Sequence, residues 1–363
     1  MRKTVYLSVG PSELYPSYAQ HLQWAMDEQL GSLNHRSERF REIYRATDTQ
    51  LRELMAIPPS HRIYFTGSAT EIWERLLLNL VTQRSHHLVN GAFSERFFNF
   101  SQALGKTPSC ERVPLGAGFE LERSEIPPDT ELVCTTQNET STGVCIPERD
   151  LGHLKLTHPD ILLCTDIVSS APLVRLDFSH IDSAFFSVQK GFGMPAGLGV
   201  WIANEACLQR ARTLSKKGLL MGAHHTLLSL EACYQRFETP STPNTVAIAI
   251  LGRIAQDMNR FGIDRLRNEN QAKQECLDLF LSTQNIFTHA VANPEHRSPT
   301  VRVLQSHLDT PSVLKQLVAQ GFELSAGYGQ AQGGQIRIGL FPATTLGQVE
   351  DLISALQTLR PPT

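Results

Sequence analysis

The 363-residue chain predicts an α/β fold: a large domain with a mainly parallel, mixed sheet flanked by helices, and beside it a small α+β domain. Three observations carry this. Strand-like and helical segments alternate from about residue 60 to 202, the signature of an α/β layer. The chain then turns largely helical after residue 205. Its final stretch mixes short strands with amphipathic helices, a second and smaller unit. The length also exceeds what one compact core holds comfortably. These features divide the chain into residues 16–255 for the large domain and 1–15 with 256–363 for the small one.

The elements follow in order. "RIYFTG", "HHLVNGAF", "ELVCTTQ", "DILLCTD", "SAFFSVQ" and "LGVWIAN" are short, apolar and rich in β-branched or aromatic residues, so each reads as a strand. Between the first two, Ile72, Trp73, Leu76, Leu77 and Leu80 recur at helical spacing. "FSERFFNFSQALG" is a second helix, ended by Gly105. "RFETPSTPNTV" holds three prolines and reads as the loop before one long connecting helix. "TVRVLQ", "ELSAGYG" and "QIRIGLF" are the small-domain strands, with helices at "PSVLKQLVAQG" and "TLGQVEDLISALQTL".

Composition narrows the function classes. Apolar residues are 41% and charged residues 19%, ordinary for a globular protein. A net charge of -3 gives no support to nucleic-acid or anionic-membrane binding. No apolar run reaches the roughly 18–20 residues that span a bilayer, and "MRKTVYLSVGPSELYP" lacks the apolar core of a signal peptide. The seven cysteines include no CxxC pair, so we expect a reduced, cytoplasmic protein with no metal site. His86-His87 and His224-His225 lack partners at metal-ligand spacing and read as surface or strand-edge residues. Trp73 and Trp201 read as core.

Three motifs can carry chemistry. In "FTGSATEIW" a strand ends at Gly67 and a helix begins near Thr70. A helix start of small residues, with the Ser68 and Thr70 hydroxyls, can cradle an anion. The same letters also make a plain capping box of Ser68 and Glu71. In "LLCTDIVSSAP", Asp166 stands at the carboxyl end of a strand, where ligands of α/β sheets bind. Alone it also reads as a turn or N-cap aspartate. In "SVQKGFGMPAGL", Lys190 ends an apolar strand, where desolvation would depress its pKa and make the amine nucleophilic. Alone it could equally snorkel to water. Together the three supply an anion cradle, a carboxylate and an amine, the groups that pyridoxal phosphate needs.

With these pieces, and with "VGPSELYP", "NHRSERF", "TQNETSTGV", "ETPSTPN" and "GGQIRIGLFPA", nearly the whole chain resembles the class V, fold-type I pyridoxal-phosphate aminotransferases. The phosphoserine aminotransferase family is the most similar, and "QKGFGMPAGL" is the most specific match. The resemblance implies a homodimer with shared active sites and pyridoxal 5'-phosphate as cofactor. It implies that Lys190 is the Schiff-base lysine and proton shuttle, and that Asp166 pairs with the pyridine nitrogen. Phe93 would stack on the ring, and Thr140 would bond its hydroxyl. Ser68, Ala69, Thr70 and Gln189 would hold the phosphate, with Thr239 of the second subunit. Arg337 would clamp the substrate α-carboxylate, and His35 and Arg36 of the second subunit would face the substrate side chain.

Two departures bear on the substrate. Phosphoserine enzymes carry a His-Arg pair before the C-terminal glycine pair, whereas Tyr328–Gly334 here reads "YGQAQGG". Each lost charge-assisted contact costs a dianion about 1.5–3 kcal/mol, tenfold or more. The expectation is therefore an aminotransferase whose substrate side chain is not phosphorylated, with phosphoserine as the alternative. The second departure is Glu238, a carboxylate expected beside the cofactor phosphate. A lyase would need a mobile late cysteine, yet the last is Cys276 in a helix. A non-catalytic cofactor-binding protein would not need Lys190, Asp166 and Arg337 together.

Overall fold

The computed structural model describes residues 4–359, so the ends of the expected small domain, residues 1–3 and 360–363, lie outside the described residues. Seven strands form the large sheet. From one edge they run His61–Thr66, Gly199–Asn204, Ser183–Ser187, Leu162–Asp166, Leu132–Thr136, Ser85–Val89 and Ser109–Arg112. Gly199–Asn204 is antiparallel to both neighbours, and every other pairing is parallel. The sheet is thus mixed and mainly parallel, as the alternating pattern predicts.

Side-chain alternation along these strands builds two cores. Val200 and Ile202 face one side with Ile63, Phe65 and Phe186, under helices Glu38–Met55 and Thr245–Phe261. Trp201 and Ala203 face the other with Tyr64 and Phe185, under helices Ala69–Leu80 and Glu205–Lys216. Cys134, Cys164 and Cys207 fill gaps in this second core, where burial pushes their thiols up.

A third core sits in the small antiparallel sheet Phe287–His289, Val301–Ser306, Gln335–Gly339 and Ser325–Ala326. Leu7 packs into it, and the N-terminal Val5–Tyr6 pairs with Phe322–Glu323. No helix among the described residues is long and apolar enough to cross a membrane.

Three local expectations change. The "long connecting helix" is two helices, Thr245–Phe261 and Ile263–Ser282, broken at Gly262, whose φ of 96° no helix accepts. The strand in "HHLVNGAF" stops at Val89, and Phe93 lies in the first turn of helix Ala92–Ala103. His86 and His87 are buried inside a strand, bonded to the Ser109 and Ser85 hydroxyls. Burial pushes them to about 4 and about 3, so both are neutral.

Candidate active site

Strand ends converge on a cavity of about 290 Å³ at the carboxyl edge of the large sheet. Ser68, Ala69, Thr70, Phe93, Thr140, Asp166, Gln189 and Lys190 all line it. Eight of the predicted residues, scattered over some 120 positions, therefore meet in one place.

Lys190 follows strand Ser183–Ser187 and is only 7% exposed. The N-terminal segment fixes its backbone: the Ser12 N–H donates to the Gln189 carbonyl at 2.9 Å and its hydroxyl to the Lys190 carbonyl at 2.7 Å. A Cβ on Gly10 would lie 2.8 Å from Lys190 Cε, so only glycine lets this segment close over the lysine stem. A Cβ on Gly191 would lie 1.9 Å from the Ala171 carbonyl oxygen. That glycine therefore serves backbone packing and leaves no extra room for a ligand. The Lys190 ammonium donates to Thr140 Oγ1 at 2.7 Å. Burial drives the amine below its ordinary pKa, against the pull of Asp166 and Glu139.

Asp166 ends strand Leu162–Asp166 and is 4% exposed. One carboxylate oxygen accepts from the Val168 N–H at 2.8 Å, and the other from the Trp73 indole N–H at 3.1 Å. Burial raises its pKa, and these donors with Lys190 only partly offset the rise. Trp73 belongs to the second core, as its spacing implies, but it also orients the carboxylate. Nothing in the sequence signals that second role, since the partners lie 93 residues apart.

Helix Ala69–Leu80 starts at the same cavity. Ser68 Oγ accepts from the Glu71 N–H at 3.1 Å, an N-cap, but the Glu71 carboxylate accepts from the Gly67 N–H at 3.0 Å and not from that of Ser68, so only half of the expected capping box forms. The Ala69 N–H donates to Ser187 Oγ at 2.8 Å, while Thr70 lies at the helix start and lines the cavity.

On the far wall, Phe93 turns its ring to Lys190, with Nζ 5.3 Å from the centroid. Glu139 sets this wall. Its buried carboxylate accepts from the Phe93 and Ser94 N–H groups at 3.1 and 2.9 Å, and from the Ser141 hydroxyl at 2.6 Å. A carboxylate at a helix start meets unpaired N–H groups and the dipole's positive end. Sequence reasoning missed Glu139, although "NET" stands in plain view between two strands.

Arg337 lies next to the cavity on strand Gln335–Gly339. It donates to the Ala326 carbonyl at 2.8 Å and the Thr140 carbonyl at 3.3 Å, and stands 5.4 Å from the Tyr328 ring centroid. Tyr328 in turn meets the Phe93 ring at 5.7 Å. His35, Arg36 and Thr239 do not line this chain's cavity. Arg36 instead pairs with Glu238 of the same chain at 3.4 Å, beside Arg41 at 2.6 Å and Arg236 at 3.2 Å. The Arg41 and Arg236 bonds hold the Glu238 carboxyl below its usual range. Glu238 therefore points into an arginine cluster.

The residues present fit pyridoxal 5'-phosphate. A buried amine of lowered pKa, a buried carboxylate held by two donors, an aromatic wall and a helix start surround one space. Thr136 Oγ1 and Asn138 Oδ1 line it as buried polar atoms without a partner among the described residues. Such atoms are rare unless a ligand or water meets them.

The profile of the aminotransferase class-V family matches residues 17–352. A phosphoserine aminotransferase structure from Cytophaga hutchinsonii is 38% identical, covers 98% of this chain and 99% of its own, and has a TM-score of 0.96. The phosphoserine aminotransferase of Rhodococcus opacus is 25% identical over 358 residues, 96% of this chain and 92% of its own. An aspartate aminotransferase from Thermus thermophilus, 22% identical with a TM-score of 0.84, covers 98% of this chain and 100% of its own and shares the fold. With the expected mixed, mainly parallel sheet, a cavity at its carboxyl edge and a family match across most of its length, the chain belongs to the class V aminotransferases.

Proposed function

We propose that this pyridoxal-phosphate-dependent enzyme transfers the amino group of phosphoserine to a 2-oxo acid. The observation that carries the reading is the 38% identity to a phosphoserine aminotransferase over nearly the full length of both chains. It outweighs the expectation of a phosphate-free side chain, which rested on one short loop. The arginine cluster adds support: three guanidinium groups, of Arg36, Arg41 and Arg236, meet two carboxylates, of Glu238 and Glu38. Positive charge is left over there, and Arg36 is 53% exposed. In a homodimer with shared sites, His35 and Arg36 would bring that surplus to the substrate phosphate of the partner.

Bound in the cavity, pyridoxal 5'-phosphate supplies the electron sink that lets an amino group pass between an amino acid and a 2-oxo acid. Lys190 provides the amine that holds it and carries the proton to and from the substrate Cα. Its lowered pKa keeps a share of it unprotonated near neutrality. Asp166 keeps a proton on the ring nitrogen, and Trp73 keeps Asp166 in place. Phe93 would cover one ring face, and Thr140 would meet the ring hydroxyl. Ser68, Ala69, Thr70 and Gln189, with Thr239 of the partner subunit, would hold the phosphate. Arg337 takes the substrate α-carboxylate with the donors that its two carbonyl bonds leave free. Seven unbridged cysteines support a cytoplasmic location.

A second reading keeps the phosphate-free substrate, because the loop Tyr328–Gly334 offers no cation. Complementation separates the two. Under our proposal the gene restores growth of a serine auxotroph that lacks the phosphoserine step. A purified, cofactor-loaded enzyme that transaminates other amino acids but fails this rescue supports the second reading.

A further inference from the structure

Outside the cavity, His225 connects three segments that the mechanism above leaves unlinked. We propose that His225 is a positioning residue for the cofactor phosphate, holding the start of helix Ala69–Leu80, at this chain's own site, to the segment whose Thr239 serves the partner's site. The inference rests on the phosphate binding at that helix start.

The reasoning begins with Glu71. Its carboxylate lies in the first helical turn, among the N–H groups that would meet a phosphate. A loose carboxylate there would compete with the ligand for those donors and repel it. Instead Oε2 accepts from the Gly67 N–H at 3.0 Å, and Oε1 lies 2.5 Å from His225 Nδ1. Arg75 adds a contact at 3.5 Å. Burial pushes the Glu71 carboxyl up, but the His225, Gly67 and Arg75 contacts outweigh it and hold the group below its ordinary value. Glu71 is thus ionised and turned away from the cradle.

The other ring nitrogen extends the link. His225 Nε2 lies 3.3 Å from Ser241 Oγ, and the Ser241 carbonyl accepts from the Thr239 hydroxyl at 2.8 Å. The ring also stacks on His224 with centroids 3.8 Å apart. The His225 backbone has a φ of 51°, a region that non-glycine residues seldom enter. Contacts on both ring nitrogens and the ring face hold it there. Two residues later, the Leu227 N–H donates to Asn79 Oδ1 at 2.8 Å, fastening the same turn to the far part of the same helix. The turn therefore grips helix Ala69–Leu80 at both ends while holding the Thr239 segment.

The dissociation constant of pyridoxal 5'-phosphate, read from the visible absorbance of the full-length protein, tests this without any substrate. His225→Ala should weaken binding about tenfold or more, the worth of a charge-assisted hydrogen bond. His225→Asn keeps a short donor and tolerates the left-handed backbone, so it should recover most of the affinity. In the Glu71→Gln background, His225→Ala should cost much less, because the carboxylate it restrains is gone. Equal affinity of His225→Ala and wild type would overturn the proposal. So would an unchanged penalty in the Glu71→Gln background. If His225→Ala does not fold, His225→Asn decides: affinity within about threefold of wild type supports the relay, and a tenfold loss overturns it. A wild-type protein that binds no cofactor would instead sink the reading of the site.

Discussion

At the scale of single residues, two lysines among the described residues are buried, in different chemical roles. Lys273 donates to the carbonyls of Leu340, Phe341 and Thr344, which occupy all three of its protons. Lys190 has one hydroxyl partner and an open cavity. Only the second is free to react. Borohydride should fix the cofactor to wild-type protein and abolish its visible band, and Lys190→Ala should show no such trapping. Trp73→Phe keeps the packing and loses one donor to a buried carboxylate. Cofactor affinity should fall about tenfold, measured by titration. Lys190, Asp166 and Thr70 were legible in sequence because each stands where an apolar strand ends or a helix begins. Trp73 and Glu139 were not. Their partners come from distant segments, and an apolar-spaced Trp or a lone Glu carries no local mark of what it will meet.

At the scale of elements, the termini of helices do most of the positioning. Glu139 satisfies the first N–H groups of helix Ala92–Ala103 and thereby aims Phe93. Glu139→Ala should cost about 3 kcal/mol of stability by denaturant unfolding, through buried donors left unmet. Lys273, on helix Ile263–Ser282, instead holds the loop that leads from strand Gln335–Gly339 into helix Leu346–Thr358, and its amine is held down to about 8 by burial. An unfolded lysine titrates near 10.4. Between these values the unfolded chain keeps its proton and the folded chain has lost it, so stability rises with pH. The slope contributed is at most about 1.4 kcal/mol per pH unit. Lys273→Met should therefore show a flatter stability profile than wild type from pH 8 to 10. Strand and helix positions followed from periodicity. The break at Gly262 did not, because a lone glycine inside a helical pattern is often tolerated. The end of the strand at Val89 was hidden because its cap lies in another segment.

At the scale of the whole molecule, the account requires two chains per site. Arg36, His35 and Thr239 stand away from the cavity of their own chain. A mixture of Lys190→Ala and Arg36→Ala chains should therefore regain activity that neither has alone. Random pairing makes half the dimers mixed, each with one intact site, so about a quarter of wild-type activity should return. Without shared sites, mixing restores nothing beyond the sum of the two. The substrate is decided by two local features, the cation-free loop Tyr328–Gly334 and the arginine cluster around Glu238. The most direct test is the rate at which each amino acid bleaches the visible band of the cofactor-loaded enzyme in single turnover. Phosphoserine should react at least tenfold faster, per unit concentration, than serine, alanine or aspartate. A faster reaction with any of those three would contradict the account.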